Sequence, residues 1–203
     1  MKILIATGNA HKFRELLQIL PSATRKGTPL EYVSLADFPA LSMPPETGNT
    51  LEDNAELKAT YAAQETGLVT LSDDTGLEVD ALHGAPGVHT ARYAGEHADT
   101  ADNNRKLLLA LEGKPLEKRT ARFRTVACLV TPRGNVQTFE GVLEGHIGFG
   151  YRGENGFGYD PIFLVESGKK TLAELTETQK NKISHRGKAF KQLARHLEQL
   201  SAK

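Results

Sequence analysis

The sequence predicts a mixed α/β fold, and three observations carry that prediction. An apolar N-terminal strand runs through a glycine turn into an amphipathic helix, two long strand-like runs later in the chain share a short turn, and the chain closes on another amphipathic helix. In the opening unit Lys2-Ile3-Leu4-Ile5-Ala6-Thr7 is the strand, Gly8 the turn and Asn9 the helix N-cap. Phe13, Leu16, Leu17 and Leu20 then recur at the spacing of one helical face.

The remaining elements follow in order. A strand is expected near Tyr32 to Leu35, before a proline-rich loop from Pro39 to Gly48. Thr50 and Asp53 form a capping box that opens an alanine-rich helix, which Gly67 ends. Leu68 to Ser72 reads as a strand running into Asp73-Asp74, and Thr100 to Glu112 as a helix closed by Gly113. Thr120 to Thr131 and Val136 to His146 form the hairpin across Pro132-Arg133-Gly134-Asn135. A glycine-rich loop from Gly148 to Gly158 leads to a strand at Pro161 to Val165. The last helix starts behind Ser184 and carries Phe190, Leu193, Ala194, Leu197 and Leu200 on one face. No repeat, low-complexity tract or linker divides residues 1–203, which are expected to form a single domain.

Composition narrows the function. The 203 residues carry 25 acidic and 25 basic side chains, so there is no surplus of cations to follow a nucleic-acid backbone. A local basic cluster can still serve a small nucleotide. No apolar run is long enough to span a bilayer. The N-terminus is unlike a signal peptide and the single cysteine, Cys128, lies in an apolar run, so a reducing cytoplasm is expected.

Five groups of residues could carry chemistry. Thr7-Gly8-Asn9-Ala10-His11-Lys12 places backbone N–H groups and a lysine at a helix start, which favours an anion. It lacks the full phosphate-loop pattern, and an ordinary glycine turn with a surface lysine explains it at least as well. Asp73-Asp74 put two carboxylates on opposite sides of a strand, where a cation or a set of donors must await them. The rival reading is a turn stabilised by aspartate. Glu46 precedes a helix on which Asn54 and Lys58 share a face, a pattern equally suited to a solvated surface. Phe157 and Tyr159, between glycines, either stack on a flat ring or staple their loop to the core, and Asp160 can accept hydrogen bonds. Lys180, His185 and Arg186 crowd cations at a helix start against its dipole; an anion bound there resolves the conflict. Together these are the parts needed to hold a nucleoside polyphosphate with magnesium.

The order of these motifs resembles the inosine triphosphate pyrophosphatase, or Ham1-like, family. The matching segments are ATGNAHKFREL, ETGNTLEDNAELKA, LSDDTGLEVDAL, GAPGVHTARYAG, GFGYDPIF and KNKISHRGKAF, spread from Ala6 to Phe190. The resemblance implies a long twisted mixed sheet with two α/β lobes flanking a nucleotide-binding cleft, and a homodimer. It implies hydrolysis of ITP, dITP and XTP to the monophosphate and pyrophosphate with Mg2+. It assigns the triphosphate to Thr7, Gly8, Asn9, Ala10, His11, Lys12 and Lys58, and the metal to Glu46 and Asp74. Asp74 also activates the attacking water and Thr75 contacts substrate. Phe157, Gly158, Tyr159 and Asp160 form the base pocket, completed by Lys180, His185 and Arg186. One departure is His89-Thr90, where the family more often has another residue followed by serine. Two other classes compete: a related pyrophosphatase acting on modified pyrimidines, and a non-catalytic nucleotide- or RNA-binding module, against which the zero net charge and the paired acids speak.

Overall fold

A computed structural model describes residues 1–199, and Leu200, expected on the last helix, lies outside them. The elements are β1 (Lys2–Ile5), α1 (Ala10–Ile19), β2 (Glu31–Ser34), α2 (Leu51–Thr66), β3 (Val69–Val79), β4 (Pro86–Gly87) and α3 (Thr100–Ala110), followed by β5 (Thr120–Val130), β6 (Val136–Ile147), β7 (Phe163–Val165), β8 (Lys170–Thr171), α4 (Glu177–Ile183) and α5 (His185–Gln199). The strands form one mixed sheet in the order β2-β1-β3-β5-β6-β7-β8, with β4 paired to β3. β1 is parallel to β2 and β3, whereas β7 is antiparallel to β6 and β8.

The chain divides into two compact units. The first comprises Met1–Asp74, Thr125–Gly141 and the stretch from Arg186 onward; the second comprises Thr75–Arg124 and Val142–His185. Within the first, Ile3, Ile5, Leu16, Leu71, Leu129, Phe190 and Leu193 build one buried cluster. A smaller cluster joins Leu4, Ala6 and Ala62. Within the second, Leu77, Leu107, Phe123, Ile147, Tyr159, Phe163 and Leu172 form the core.

Local chemistry explains most element ends. Asn9 caps α1 by accepting from the amides of His11 and Lys12, and the Thr50–Asp53 capping box opens α2 as its sequence predicts. Gly67 closes α2 in the left-handed conformation, φ +68°. The hairpin turn is pinned by Thr131 N–H donating to the Asn135 carbonyl, 3.0 Å.

Four expectations shift. β3 does not stop at the acids but continues to Val79, so Asp73 and Asp74 sit mid-strand. The strand expected from Pro161 starts at Phe163, because Ile162 and Phe163 still donate to the Tyr159 carbonyl in a turn. α3 ends at Ala110, short of Glu112. Helix α4 was not foreseen, although Thr176 and Gln179 make its capping box.

Cys128 is fully buried, and burial pushes its thiol up to about 12. At neutral pH it should therefore not react with a thiol reagent such as DTNB in the native state. Stoichiometric release of the chromophore is expected only after denaturation, and rapid labelling of the folded protein would contradict this burial.

Candidate active site

The first unit gathers most of the expected cations and carboxylates. At the β1–α1 junction, Thr7 Oγ1 accepts from Asn9 N–H at 3.2 Å, and Asn9 Oδ1 takes the amides of His11 and Lys12. The N-cap thus uses two of the donors that an anion could meet. The amides of Gly8 and Ala10 have no acceptor among the described residues, and both residues are exposed. Those two amides, beside Lys12, are what this helix start offers a phosphate.

Because β3 passes through Asp73 and Asp74, their side chains leave the strand on opposite sides. Asp73 turns toward the cations of α1 and α5: its Oδ2 lies 3.0 Å from Lys12 Nζ and 3.3 Å from Arg186 Nε. Arg186 Nη1 reaches Glu15 Oε2 at 2.6 Å, and Glu15, Asp73 and Arg186 are all buried. Burial works to raise the Asp73 pKa, but Lys12, Arg186 and Lys58 outweigh it and hold the carboxyl far below its ordinary value. For Lys12, burial outweighs Asp73 and lowers its pKa.

Asp74 faces α2. Asn54 Nδ2 donates to its Oδ2 at 3.1 Å, while Asn54 Oδ1 accepts from Gly48 N–H at 2.8 Å, which ties the proline-rich loop to the helix. Lys58 Nζ lies 2.6 Å from Glu46 Oε1, 2.8 Å from the Asp73 carbonyl and 3.7 Å from Asp74 Oδ1. Two carboxylates therefore converge on one cation. Burial lowers the Lys58 pKa, yet Asp74, Asp73 and Glu46 together raise it above the ordinary value. Asp74 moves up as well: burial raises it, Lys58 opposes, and Glu46 adds to the rise. Among the described residues, no group of three or more His, Cys, Asp or Glu side chains could hold a metal ion.

The second unit holds the other expected residues. Gly156 and Gly158 have φ of +79° and +64°, and a Cβ at Gly156 would collide with the Asp160 carboxylate. That carboxylate accepts from Phe157 N–H at 2.8 Å and from Lys180 Nζ at 2.7 Å, and Lys180 Nζ also lies 4.6 Å from the Phe157 ring centre. Asp160 and Lys180 are both buried. Tyr159 is buried in the core with its hydroxyl donating to the Thr90 carbonyl, 2.9 Å, so of the two aromatics it acts as the staple. His185 stacks on Phe123 with ring centres 4.6 Å apart. Thr75 is half-buried on β3. The Thr90 hydroxyl accepts from Leu77 N–H and donates to the Gly87 carbonyl, and His89 beside it is exposed, its main chain bonded to Pro86 and Arg92 in a turn. A cavity of about 710 Å3 on this unit, beside Arg119 and Phe149, contains none of the expected residues.

Of the cations expected to await an anion at the last helix start, Arg186 instead finds Glu15 and Asp73, and Lys180 finds Asp160. The dipole conflict at Arg186 is thus resolved inside the protein, and its guanidinium is held by carboxylates. Glu15 was not singled out from the sequence. It reads there as one more polar residue of an amphipathic helix, and only its partner, 171 positions away, reveals its role. From the sequence Asn54 reads only as sharing a helical face with Lys58, whereas the structure buries it against Asp74.

Comparison with known proteins identifies relatives of the chain. The model of the Ham1 family matches residues 3–196. A dITP/XTP pyrophosphatase of Elusimicrobium minutum is 61% identical over 198 residues, covering 98% of this chain and 100% of that one. A dITP/XTP pyrophosphatase of Desulforamulus reducens is 50% identical, covering 98% and 97%. Among solved structures, a HAM1 protein from Coxiella burnetii superposes with a TM-score of 0.87 at 40% identity, covering 98% of this chain and 100% of that one. The chain belongs to the Ham1 family.

Two outcomes follow from the buried charges. Glu15→Leu leaves the Arg186 guanidinium short of a partner and should cost about 3 kcal/mol or more of stability, read by urea denaturation. Asp73 has a folded pKa below its unfolded value of about 3.9, so its contribution is complete above that pH and is lost as pH falls below it. The acid limb of the stability–pH curve below about pH 4 should therefore flatten in Asp73→Asn. An unchanged limb would show that Asp73 is not the group being titrated.

Proposed function

We propose that this protein hydrolyses deaminated purine nucleoside triphosphates, ITP, dITP and XTP, to the monophosphate and pyrophosphate, and that it requires Mg2+. The observation that carries the reading is the convergence of Glu46 and Asp74 on one cation position, now held by Lys58 Nζ, beside Lys12 and the exposed amides of Gly8 and Ala10. Lys12, Lys58 and Arg186 bring three positive charges against the four carboxylates of Glu15, Glu46, Asp73 and Asp74. A cluster one charge negative repels a bare triphosphate, so a divalent cation must accompany it. Two carboxylates suit magnesium, which takes few protein oxygens and completes its shell with water and phosphate. When bound there it neutralises phosphate charge.

The protein's own groups do the rest. Lys12, Lys58 and the Gly8 and Ala10 amides orient the polyphosphate and balance the charge that develops as pyrophosphate leaves. Asn54 donates to Asp74 Oδ2 and Lys58 faces Oδ1, and in this reading the carboxylate so oriented accepts the proton of the attacking water. Its raised pKa makes it a better base than an ordinary aspartate, and it must be ionised to act. Activity should therefore be lost on the acid side and rise toward alkaline pH; a profile peaking near pH 5 contradicts the scheme.

The base falls to Phe157, Gly158 and Asp160, bracketed by Lys180, with Thr75 and His185 as further contacts. A 6-oxo purine presents an acceptor where adenine presents a donor amino group, so a site of N–H donors favours the former. The reading extends to a cytoplasmic homodimer acting on free nucleotides, without nucleic acid or membrane as partner. Its support is the family resemblance, the balanced charge and the absence, among the described residues, of a helix long and apolar enough to cross a membrane.

Pyrophosphate release from ITP, dITP, XTP, GTP, ATP and modified pyrimidine triphosphates tests the whole reading. Release should be strong with the deaminated purines and magnesium and vanish with EDTA; preference for the pyrimidines would transfer the protein to the competing class. Asp74→Asn should lower kcat at least about 100-fold while nucleotide binding by calorimetry survives.

A further inference from the structure

Helix α3 buries two adjacent asparagines on a face that otherwise presents Leu107 to the core. Asn103 ties its own unit's loop, accepting from Ala94 N–H at 2.7 Å and donating to the Ala91 carbonyl at 3.0 Å. Asn104, 1% exposed, has a different target: its Nδ2 donates to the Gly158 carbonyl at 3.1 Å. Only the amide nitrogen can donate to a carbonyl, so the orientation of this side chain is fixed, and its Oδ1 is buried with no hydrogen-bond partner. The desolvation of that acceptor offsets the bond the donor makes. As a contribution to stability the amide is therefore close to idle, and what remains is the geometry it imposes.

That geometry acts on one peptide plane. In a trans peptide the C=O and the following N–H point in opposite directions, so anchoring the Gly158 carbonyl on α3 aims the Tyr159 N–H away from α3. Gly158 stands at φ +64° with open space where a Cβ would be, so neither side-chain packing nor sterics at this residue hold the plane. Phe157 N–H is taken by Asp160, but the Tyr159 N–H has no acceptor among the described residues. The Tyr159 side chain is itself locked by Thr90. A main-chain donor held in a fixed direction without a protein acceptor is a natural partner for a ligand oxygen.

We propose that Asn104 is a positioning residue for base selection: by holding the Gly158 carbonyl it presents the Tyr159 N–H to the 6-oxygen of a purine. The inference rests on the nucleotide-pyrophosphatase reading above and adds a source of discrimination that no contact to substrate by Asn104 itself supplies. Adenine, with a donor amino group at that position, leaves the Tyr159 N–H facing another N–H, whereas hypoxanthine and xanthine pair with it.

The test measures kcat and KM of wild type and Asn104→Leu on ITP and ATP with magnesium, alongside thermal melting. Leucine keeps the bulk and removes the donor, freeing the Gly158–Tyr159 peptide to rotate. The expected result is a kcat/KM ratio of ITP to ATP lowered about tenfold, mainly through KM for ITP, with little change in melting temperature. Should Asn104→Leu fail to fold, Asn104→Ser is read by the same ratio. A folded variant that keeps the wild-type ratio, or that loses both substrates in equal proportion, overturns the positioning role and leaves the proposed function intact. A wild type inactive on ITP overturns the function and this inference with it.

Discussion

The first unit is organised around a carboxylate that does not need to touch substrate. Asp73 draws Lys12 from α1 and Arg186 from α5 onto one side of β3, and Glu15 closes the far side of Arg186. Buried charges of this kind are tolerated only in mutual company, since each alone would carry a desolvation penalty of several kcal/mol. The pairing therefore acts as a registration device: α1 and α5 cannot slide along the strand without stranding a charge. The direction of Lys12, and with it the helix start where a phosphate is expected, follows from that constraint.

Asp74, one residue on, inherits the benefit. Its neighbour pairs with Lys12 and Arg186, while Asp74 faces Lys58 and the neutral donor of Asn54, and burial, with Glu46, outweighs them to raise its pKa. Two adjacent aspartates thus acquire opposite characters from the alternation of a strand. One is locked in its ionised form, and the other is kept as a basic, cation-facing group. Glu46 reaches the same cation, Lys58, from a loop that Asn54 pins, so these two carboxylates are set by a helix, a strand and a tethered loop.

What could be read from the sequence was local or periodic. The strand–glycine–helix opening, the Thr50–Asp53 box, the hairpin turn and the apolar face of α5 all depend on residues a few positions apart, and all appear where expected. Glu46, Lys58 and Asp74, and likewise Phe157, Asp160 and Lys180, stand in separate local groups of the sequence, and the structure assembles each trio within its unit. What stayed hidden depends on distant partners. Arg186 meets Asp73 across 113 positions and Glu15 across 171, and nothing in the local pattern of α1 marks Glu15 for burial. The continuation of β3 beyond the acids was missed for a related reason: carboxylates read as a strand terminus until the cations that satisfy them are in view.

The mid-strand position of Asp73 and Asp74 also bears on motion. β3 lies between β1 and β5 in the sheet, so the main chain carrying both carboxylates belongs to the interior of the β-structure and not to a loop. Amide exchange of such a segment is governed by large cooperative openings, whereas exposed turns exchange through local fraying. Both aspartates are therefore carried by main chain whose amides are expected to exchange only through such large openings, whatever the exposed turns do.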